Sequence, residues 1–187
     1  PTEAEMCRAA DIERETRHDV MAHIRALAEV APAAGGWLHL GATSCFVTDN
    51  ADLIILRRAS RLLIERAAGV VAALAGFAGR HAALACVGHT HFQPAQPTTV
   101  GKRACLWLAD LLADLERLEV EASRLLLRGA KGATGTQASF LQLLGSHDRV
   151  RELDQRLAAA FGFAGSYPIT GQTSPRKPEF YLLACLS

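Results

Sequence analysis

The sequence predicts an all-α protein, in which long helices form a bundle and polar loops join them. Half of the 187 residues are hydrophobic, which is enough to build a core of useful size. Two long stretches carry apolar residues at helical spacing. No β-branched patch alternates over four residues or more, so we expect no sheet.

The first predicted helix runs from about Thr2 to Val30, where Ala-rich apolar positions are interleaved with charges at helical spacing. It should end at the stretch APAAGG, because proline and glycine interrupt helices. The next stretch, WLHLGATSCFV, carries no charge and has Gly41 near its centre. It is interpreted as either a strand or a tight loop.

The second predicted helix covers Ala51 to His81, and Thr48, Asp49 and Asn50 before it are good N-cap residues. Its apolar positions extend well beyond the roughly 100° stripe of a surface helix. Such a helix must be buried on several sides. In a chain of this length, that pattern predicts a bundle completed by other subunits.

Two further helical regions follow the polar connection GHTHFQPAQPTT. One is predicted from about Val100 to Arg128, with Thr98 or Thr99 as its cap. After the irregular, Gly-rich stretch RGAKGATGTQ, helix should resume near Ala138, break around Gly145 and continue to Phe161. The stretch FAGSYPITGQTSP is predicted to be a loop. Pro175 and Pro178 stand where a last helix would start, a position that tolerates proline.

Composition excludes several classes of function. The net charge of +1 offers no electrostatic footprint for nucleic acid, and aromatics make up only 6% of the chain. The five cysteines are scattered without any CxxC pair, which argues against a zinc site or a disulfide framework and favours reduced thiols in a cytosolic protein. The longest apolar tract has about a dozen residues against the roughly 20 that a membrane span needs, so we expect a soluble protein. The chain starts with Pro1 and stops within the apolar run YLLACLS, from which we expect truncation at both ends.

Two polar segments near the start of the chain are candidates for ligand binding. Arg17, His18 and Asp19 would offer a cation, an imidazole and a carboxylate to an anionic ligand if their helix entered a cleft side-on. The alternative is a solvated charge network, because neighbours on a helix point roughly 100° apart. Thr43 and Ser44 follow a glycine and present two hydroxyl donors that suit a carboxylate. The alternative for this pair is helix capping or a turn.

Two later segments are candidates as well. In GHTHFQPAQ, the imidazole of His91 is suited to proton transfer near neutral pH. A metal site is the obvious rival, but no suitable third ligand lies nearby in sequence, and the plain alternative is a loop histidine without a role. Gln172 in TGQT has both a donor and an acceptor, although an ordinary turn explains it equally well. The stretch around Lys131 does not fit the spacing of a phosphate-binding P-loop.

Five segments in this order resemble the adenylosuccinate lyases of the fumarase/aspartase superfamily: TRHDVMAH, GWLHLGATS, GHTHFQPAQPTTVGKR, KGATGTQASFLQL and ITGQT. The THFQPAQ type of segment is shared across the superfamily. The RHDV segment and the KGATGTQASF stretch point to the adenylosuccinate branch. The resemblance covers the chain from about Thr16 to Lys177.

The resemblance implies a long-helix bundle of the fumarase/aspartase type, assembled from four identical subunits that share their active sites. Residues 1–43 would be the last part of the N-terminal helical domain, and residues 44–187 the first part of the central bundle. The implied protein is cytoplasmic, works in purine biosynthesis and needs neither metal nor cofactor. No nucleic acid or membrane partner is implied.

The implied reaction is a β-elimination that releases fumarate from a succinyl-amino nucleotide. By resemblance, His91 is the general acid that protonates the leaving nitrogen. Arg17, His18 and Asp19 would line the substrate site, Thr43 and Ser44 would bind the succinyl portion, and Gln172 would contact substrate as well.

Two features of the family have no counterpart in these 187 residues. One is the Ser-rich mobile loop that carries the serine base, and the other is the set of phosphate-binding basic residues. We therefore expect the chain to be inactive alone. Two alternatives stay open: another fumarate-releasing lyase of the superfamily, and a non-catalytic helical fragment that only packs with partners.

Overall fold

A computed structural model describes residues 2–186. In this part of the chain the elements are eight helices and one pair of strands, so the predicted all-α class is confirmed. They occur in the following order: α1 Glu3–Thr16, α2 Asp19–Val30, α3 Pro32–Gly35, α4 Ser44–Arg80, β1 Ala85–Thr90, β2 Gln93–Thr99, α5 Val100–Ser123, α6 Ala138–Leu144, α7 His147–Ala160 and α8 Lys177–Ala184.

The described residues divide into two compact units. The first contains the residues up to Ile55 together with Leu126–Pro175, and the second contains Leu56–Leu125 together with the residues from Arg176 onwards. The first unit therefore holds α1 to α3, the start of α4, α6 and α7. The second holds the rest of α4, the strands, α5 and α8.

The single helix predicted over Thr2 to Val30 is wrong, because the chain breaks between α1 and α2. Thr2 caps α1 through a reciprocal pair of hydrogen bonds with Glu5. Arg17 then adopts the left-handed conformation (φ 55°) and ends the helix, and the His18 side chain caps α2. The two helices pack against each other through the buried residues Ala9, Ile12, Ala22 and Ala26.

Helix α4 starts at Ser44, seven residues before the predicted start at Ala51. The three polar residues predicted as N-caps, Thr48, Asp49 and Asn50, lie within the helix instead. Asp49 and Asn50 are buried, at 4% and 6% exposure. They bind other segments of the first unit, which is the reason that these polar residues occur inside a helix.

The surface of α4 is strongly apolar. By length and composition alone the helix could cross a membrane, since an 18-residue window has a mean hydropathy of 1.6 with 6% of the window buried. This window is longer than the uncharged tract of about a dozen residues because it includes charged residues. In the second unit, Leu62 and Val70 are each 53% exposed. The prediction that this helix needs cover on several sides stays a prediction.

The expectation of no sheet is wrong as well. The polar connection between the long helices is an antiparallel hairpin in which Ala85 pairs with Thr99 and Thr90 pairs with Gln93. Prolines at 94 and 97 disfavour a central strand but are tolerated on an isolated ribbon. The register shifts between Val87 and His89, so the strands bend there.

Most of the remaining predicted boundaries lie within one or two residues of those in the structure, and the end of α5 is the exception. Thr99 caps α5, as one of the two predicted caps, although the helix ends at Ser123 rather than Arg128. The break at Gly145 separates α6 from α7, with the glycine at φ 78°. The stretches 128–137 and 161–175 contain neither a helix nor a named strand, and an isolated bridge joins Leu127 to Ser166.

Candidate functional site

The corner between α1 and α2 presents Arg17, His18 and Asp19 at the surface of the first unit. Nδ1 of His18 accepts a hydrogen bond from the backbone N–H of Met21 at 3.4 Å and lies 3.4 Å from a carboxylate oxygen of Asp19. Nδ1 acts as the acceptor in the cap, so Nε2 is left as the donor of the neutral ring. The helix break therefore places a cation, an imidazole and a carboxylate at an exposed turn rather than inside one helix.

His39 is a histidine of the first unit that the sequence interpretation did not single out. It has a left-handed backbone (φ 65°), and its Nδ1 is buried without a hydrogen-bond partner in the described part of the chain. Burial lowers the pKa of His39 from its ordinary value, and the charge of His18 lowers it further. His39 is therefore held neutral, and the two rings are electrostatically coupled.

The lowered pKa of His39 predicts a pH-dependent stability. The folded state binds this proton less readily than the unfolded state, so the free energy of unfolding should fall as pH drops from about 7 to about 5. His39→Gln should make this decline shallower in denaturant titrations at the two pH values. His147→Gln, at the exposed first position of α7, is the control and should keep the parent slope. An unchanged slope in His39→Gln would contradict the prediction.

Thr43 and Ser44 lie at the start of α4. Thr43 is 8% exposed, and its Oγ1 accepts a hydrogen bond from Nε2 of Gln172 at 3.1 Å. The preceding turn depends on Gly41 (φ 71°), whose carbonyl accepts a hydrogen bond from the Ser139 hydroxyl at 2.7 Å. The fold thus brings two predicted binding residues together that are 129 positions apart in the chain.

The segment 170–174, which carries Gln172, is held by two fully or nearly buried side chains. A carboxylate oxygen of Asp49 accepts a hydrogen bond from the backbone N–H of Ser174. Arg128 is 0% exposed and donates from Nε to the carbonyl of Gln172 at 2.8 Å. Burial lowers the pKa of Arg128 from its usual range, while the charge of Asp49 opposes the shift.

The Gly-rich stretch 128–137 packs directly against segment 170–174. A Cβ added to Gly135, which has φ 81°, would lie 1.8 Å from the carbonyl oxygen of Thr170. Within the stretch, Lys131 forms a buried ion pair with Asp154. The other carboxylate oxygen of Asp154 accepts a hydrogen bond from the backbone N–H of Ala130 at 2.7 Å. Lys131 is thus occupied by an internal partner.

His91 lies in the second unit, at the tip of the β1–β2 hairpin. His91 and Phe92 form the two-residue turn with φ 49° and 60°. Such turns favour Asn-Gly, and positive φ at a bulky residue such as Phe92 is strained. Strained residues of this kind cluster at functional sites. His91 is exposed rather than sealed in an apolar interior.

A cleft of about 580 Å³ lies beside this hairpin, lined by Thr90 and His89 on the strand side and by Lys102, Arg103 and Leu106 of α5. Arg103 is oriented by a hydrogen bond to the carbonyl of Val87 at 3.0 Å. The described residues include no group of three His, Cys, Asp or Glu side chains that could hold a metal.

The sequence interpretation therefore singled out the polar candidates, of which Thr43 is buried and His91 and Gln172 are exposed, but not the residues that hold their segments. It named no role for Arg128, and it assigned Asp49 to a helix cap. Glycines 129, 132 and 135 recur at every third position. Since repeated glycine indicates close backbone approach, this spacing was the available signal that the stretch packs tightly against another segment.

Comparisons with known proteins give a consistent family. A family model described as "Lyase" matches residues 3–179. The chain is 52% identical over all 187 residues to the adenylosuccinate lyase of Saccharomyces cerevisiae, and 52% identical over 180 residues to that of Schizosaccharomyces pombe. It covers 39% and 37% of these two proteins, so it spans about two fifths of their length.

Two solved structures share the fold. The crystal structure of a fumarate lyase from Mesorhizobium sp. BNC1 matches with a TM-score of 0.82 and 30% identity, over 100% of this chain and 42% of that one. The 3-carboxy-cis,cis-muconate lactonizing enzyme from Pseudomonas putida matches with a TM-score of 0.78 and 24% identity, over 95% of this chain and 40% of that one. The second match supports the fold alone.

Proposed function

The chain belongs to the lyase family, and from this premise we propose that it is part of an adenylosuccinate lyase of purine biosynthesis. The observation that carries the proposal is the 52% identity to the Saccharomyces cerevisiae adenylosuccinate lyase over the whole chain. The reaction is the β-elimination of fumarate from adenylosuccinate, which gives AMP, and from the succinyl-aminoimidazole carboxamide ribotide. The protein acts in the cytoplasm.

The proposed acid is His91, which delivers a proton to the departing nitrogen. A general acid must reach the leaving group, and an imidazole at the exposed tip of a hairpin is open to a substrate. Elimination also requires loss of a proton next to a carboxylate, so hydrogen-bond donors must stabilise the charge that develops on that carboxylate. Thr43, Ser44 and Gln172 are proposed for this task.

Arg17, His18 and Asp19 are proposed to line the substrate site. A substrate with carboxylates and a phosphate is strongly anionic, and a cation beside an imidazole suits it. The capping bond to Met21 orients the ring of His18, and Asp19 lies beside Nδ1. This arrangement leaves Nε2 of His18 as the ring donor that can face the substrate.

We further propose that four copies of the protein share their active sites. Support comes from the exposed apolar surface of the second unit. There α4 exposes Leu62 and Val70, and α5 exposes Trp107 at 57%. Exposed apolar patches of this kind mark interaction surfaces. A membrane is the other apolar environment, but α4 also carries Arg57, Arg58, Arg61 and Arg66. Charges in a bilayer are costly, so packing against other copies fits the helix better.

A chimera tests the proposal. These 187 residues replace the matching 39% of the Saccharomyces cerevisiae adenylosuccinate lyase, which supplies the parts of the family enzyme that the chain lacks. We expect the chimera to release fumarate from adenylosuccinate and not from argininosuccinate. The 187-residue chain alone should release none, because it contains no Ser-rich loop with a base.

The outcomes separate the alternatives. A folded chimera that is inactive on both substrates would favour the non-catalytic fragment. A chimera that prefers argininosuccinate would favour another lyase of the superfamily. Fumarate release by the chain alone, at the rate of the chimera, would overturn the expectation that it is incomplete for catalysis.

A further inference from the structure

Arg128 makes an unusual set of contacts for a buried cation. It is 0% exposed, and its guanidinium donates to main-chain carbonyls rather than to a carboxylate. The acceptors are Gly129 at 3.2 Å, Gly132 at 3.0 Å, Gly171 at 3.5 Å and Gln172 at 2.8 Å. A buried charge is costly unless its donors are hydrogen-bonded, and these four carbonyls supply the hydrogen bonds that Arg128 needs.

The contacts of Arg128 join two segments that are far apart in sequence. Two acceptors belong to the Gly-rich stretch and two to segment 170–174, with Arg128 and Gln172 separated by 44 positions. Because a guanidinium is planar and presents its donors in a fixed fork, it sets the spacing between these backbones. A lysine has a single nitrogen and cannot impose the same geometry.

Segment 170–174 in turn controls the contact between Gln172 and Thr43. Nε2 of Gln172 donates to Oγ1 of Thr43 at 3.1 Å, so the Thr43 hydroxyl is free to donate its own hydrogen elsewhere. The second hydrogen on Nε2 likewise has no acceptor among residues 2–186. The two groups thus form a pair of adjacent donors, which matches the two oxygens of a carboxylate.

We propose that Arg128 is a positioning residue, which holds the Gln172 backbone so that Gln172 and Thr43 form a donor pair for one carboxylate of the substrate. The inference rests on the proposed function for its ligand and on the contacts above for its mechanism. Arg128 itself does not touch the substrate. Its effect passes through Gln172, and it therefore depends on the presence of the Gln172 amide.

The kinetic test uses Arg128→Lys in the chimera. Loss of hydrogen bonds at a charged group predicts a KM for adenylosuccinate raised by about tenfold, with a smaller change in kcat. Leu118→Ala is the matched control, since Leu118 is buried in α5 of the second unit at 5% exposure and lies outside both segments. It should destabilise the fold and leave KM unchanged, so a KM change in the control equal to that of Arg128→Lys would overturn the proposal.

A double-mutant cycle tests the route of the effect. In a Gln172→Ala background, Arg128→Lys should raise KM by less than about twofold, because the group through which it acts is gone. Fully independent effects of the two substitutions would overturn the proposal.

A second measurement does not depend on lyase activity. Hydrogen exchange of the 187-residue chain should become faster at amides 170–174 in Arg128→Lys and stay at the parent rate there in Leu118→Ala. Unchanged exchange at these amides would overturn the positioning role. An inactive chimera combined with faster exchange would count against the proposed function alone.

Discussion

Replacing His91 with alanine in the chimera should lower kcat for fumarate release by roughly 10²–10⁴, the usual contribution of a general acid. The leaving nitrogen would then have to depart without a positioned proton. KM should change much less, because the proposed general acid acts on the reacting bond rather than on the charged groups that bind the substrate. Steady-state kinetics with adenylosuccinate measure both constants.

His89→Ala is the matched control for this experiment. It removes the same type of side chain from the same hairpin, two residues away, where His89 pairs across the ribbon with Pro94. We expect a change below about tenfold for this control. A loss below about tenfold for His91→Ala, or an equal loss for both variants, would remove His91 from the role of acid.

Gly135→Ala should destabilise the first unit strongly. The added Cβ would lie 1.8 Å from the carbonyl oxygen of Thr170, and the backbone at φ 81° is itself unfavourable for alanine. The two segments must therefore separate. We expect a loss of about 3 kcal/mol in the free energy of unfolding, measured by denaturant titration of the 187-residue chain.

Gly145→Ala separates the two causes. Gly145 has a similar φ of 78°, but a Cβ added there meets nothing within 4 Å. This variant should lose only about 1 kcal/mol of the free energy of unfolding, the cost of a left-handed backbone at alanine. Equal losses in the two variants would contradict the close approach of Gly135 to Thr170. A larger loss for Gly135→Ala would also predict weaker substrate binding by the chimera, because Gln172 belongs to the displaced segment.

Elements defined by local signals were predicted well from the sequence. Thr99 was one of two predicted caps for α5 and does cap it, and Gly145 does interrupt the helical region after Ala138. A cap or a left-handed glycine acts within one turn of helix, so its signal is contained in a few neighbouring residues.

Predictions failed where hydrophobic spacing alone did not reveal a helix break or a strand pairing. Apolar spacing over Thr2 to Val30 fits one helix, yet a left-handed Arg17 and the capping side chain of His18 divide it. The hairpin was missed because its strands contain Gly88 and two prolines and do not alternate in hydrophobicity. Cross-strand hydrogen bonds, rather than a buried face, define this ribbon.

By itself, the sequence determined the helical class and several helix boundaries, because periodicity, caps and breakers act over a few positions. Only the tertiary structure decided how the candidate polar residues are held. Asn50 bonds to Gly129 across 79 positions, and Asp49 reaches Ser174 across 125. Such contacts depend on where distant segments of the backbone meet, and no spacing within a short stretch of sequence encodes that meeting.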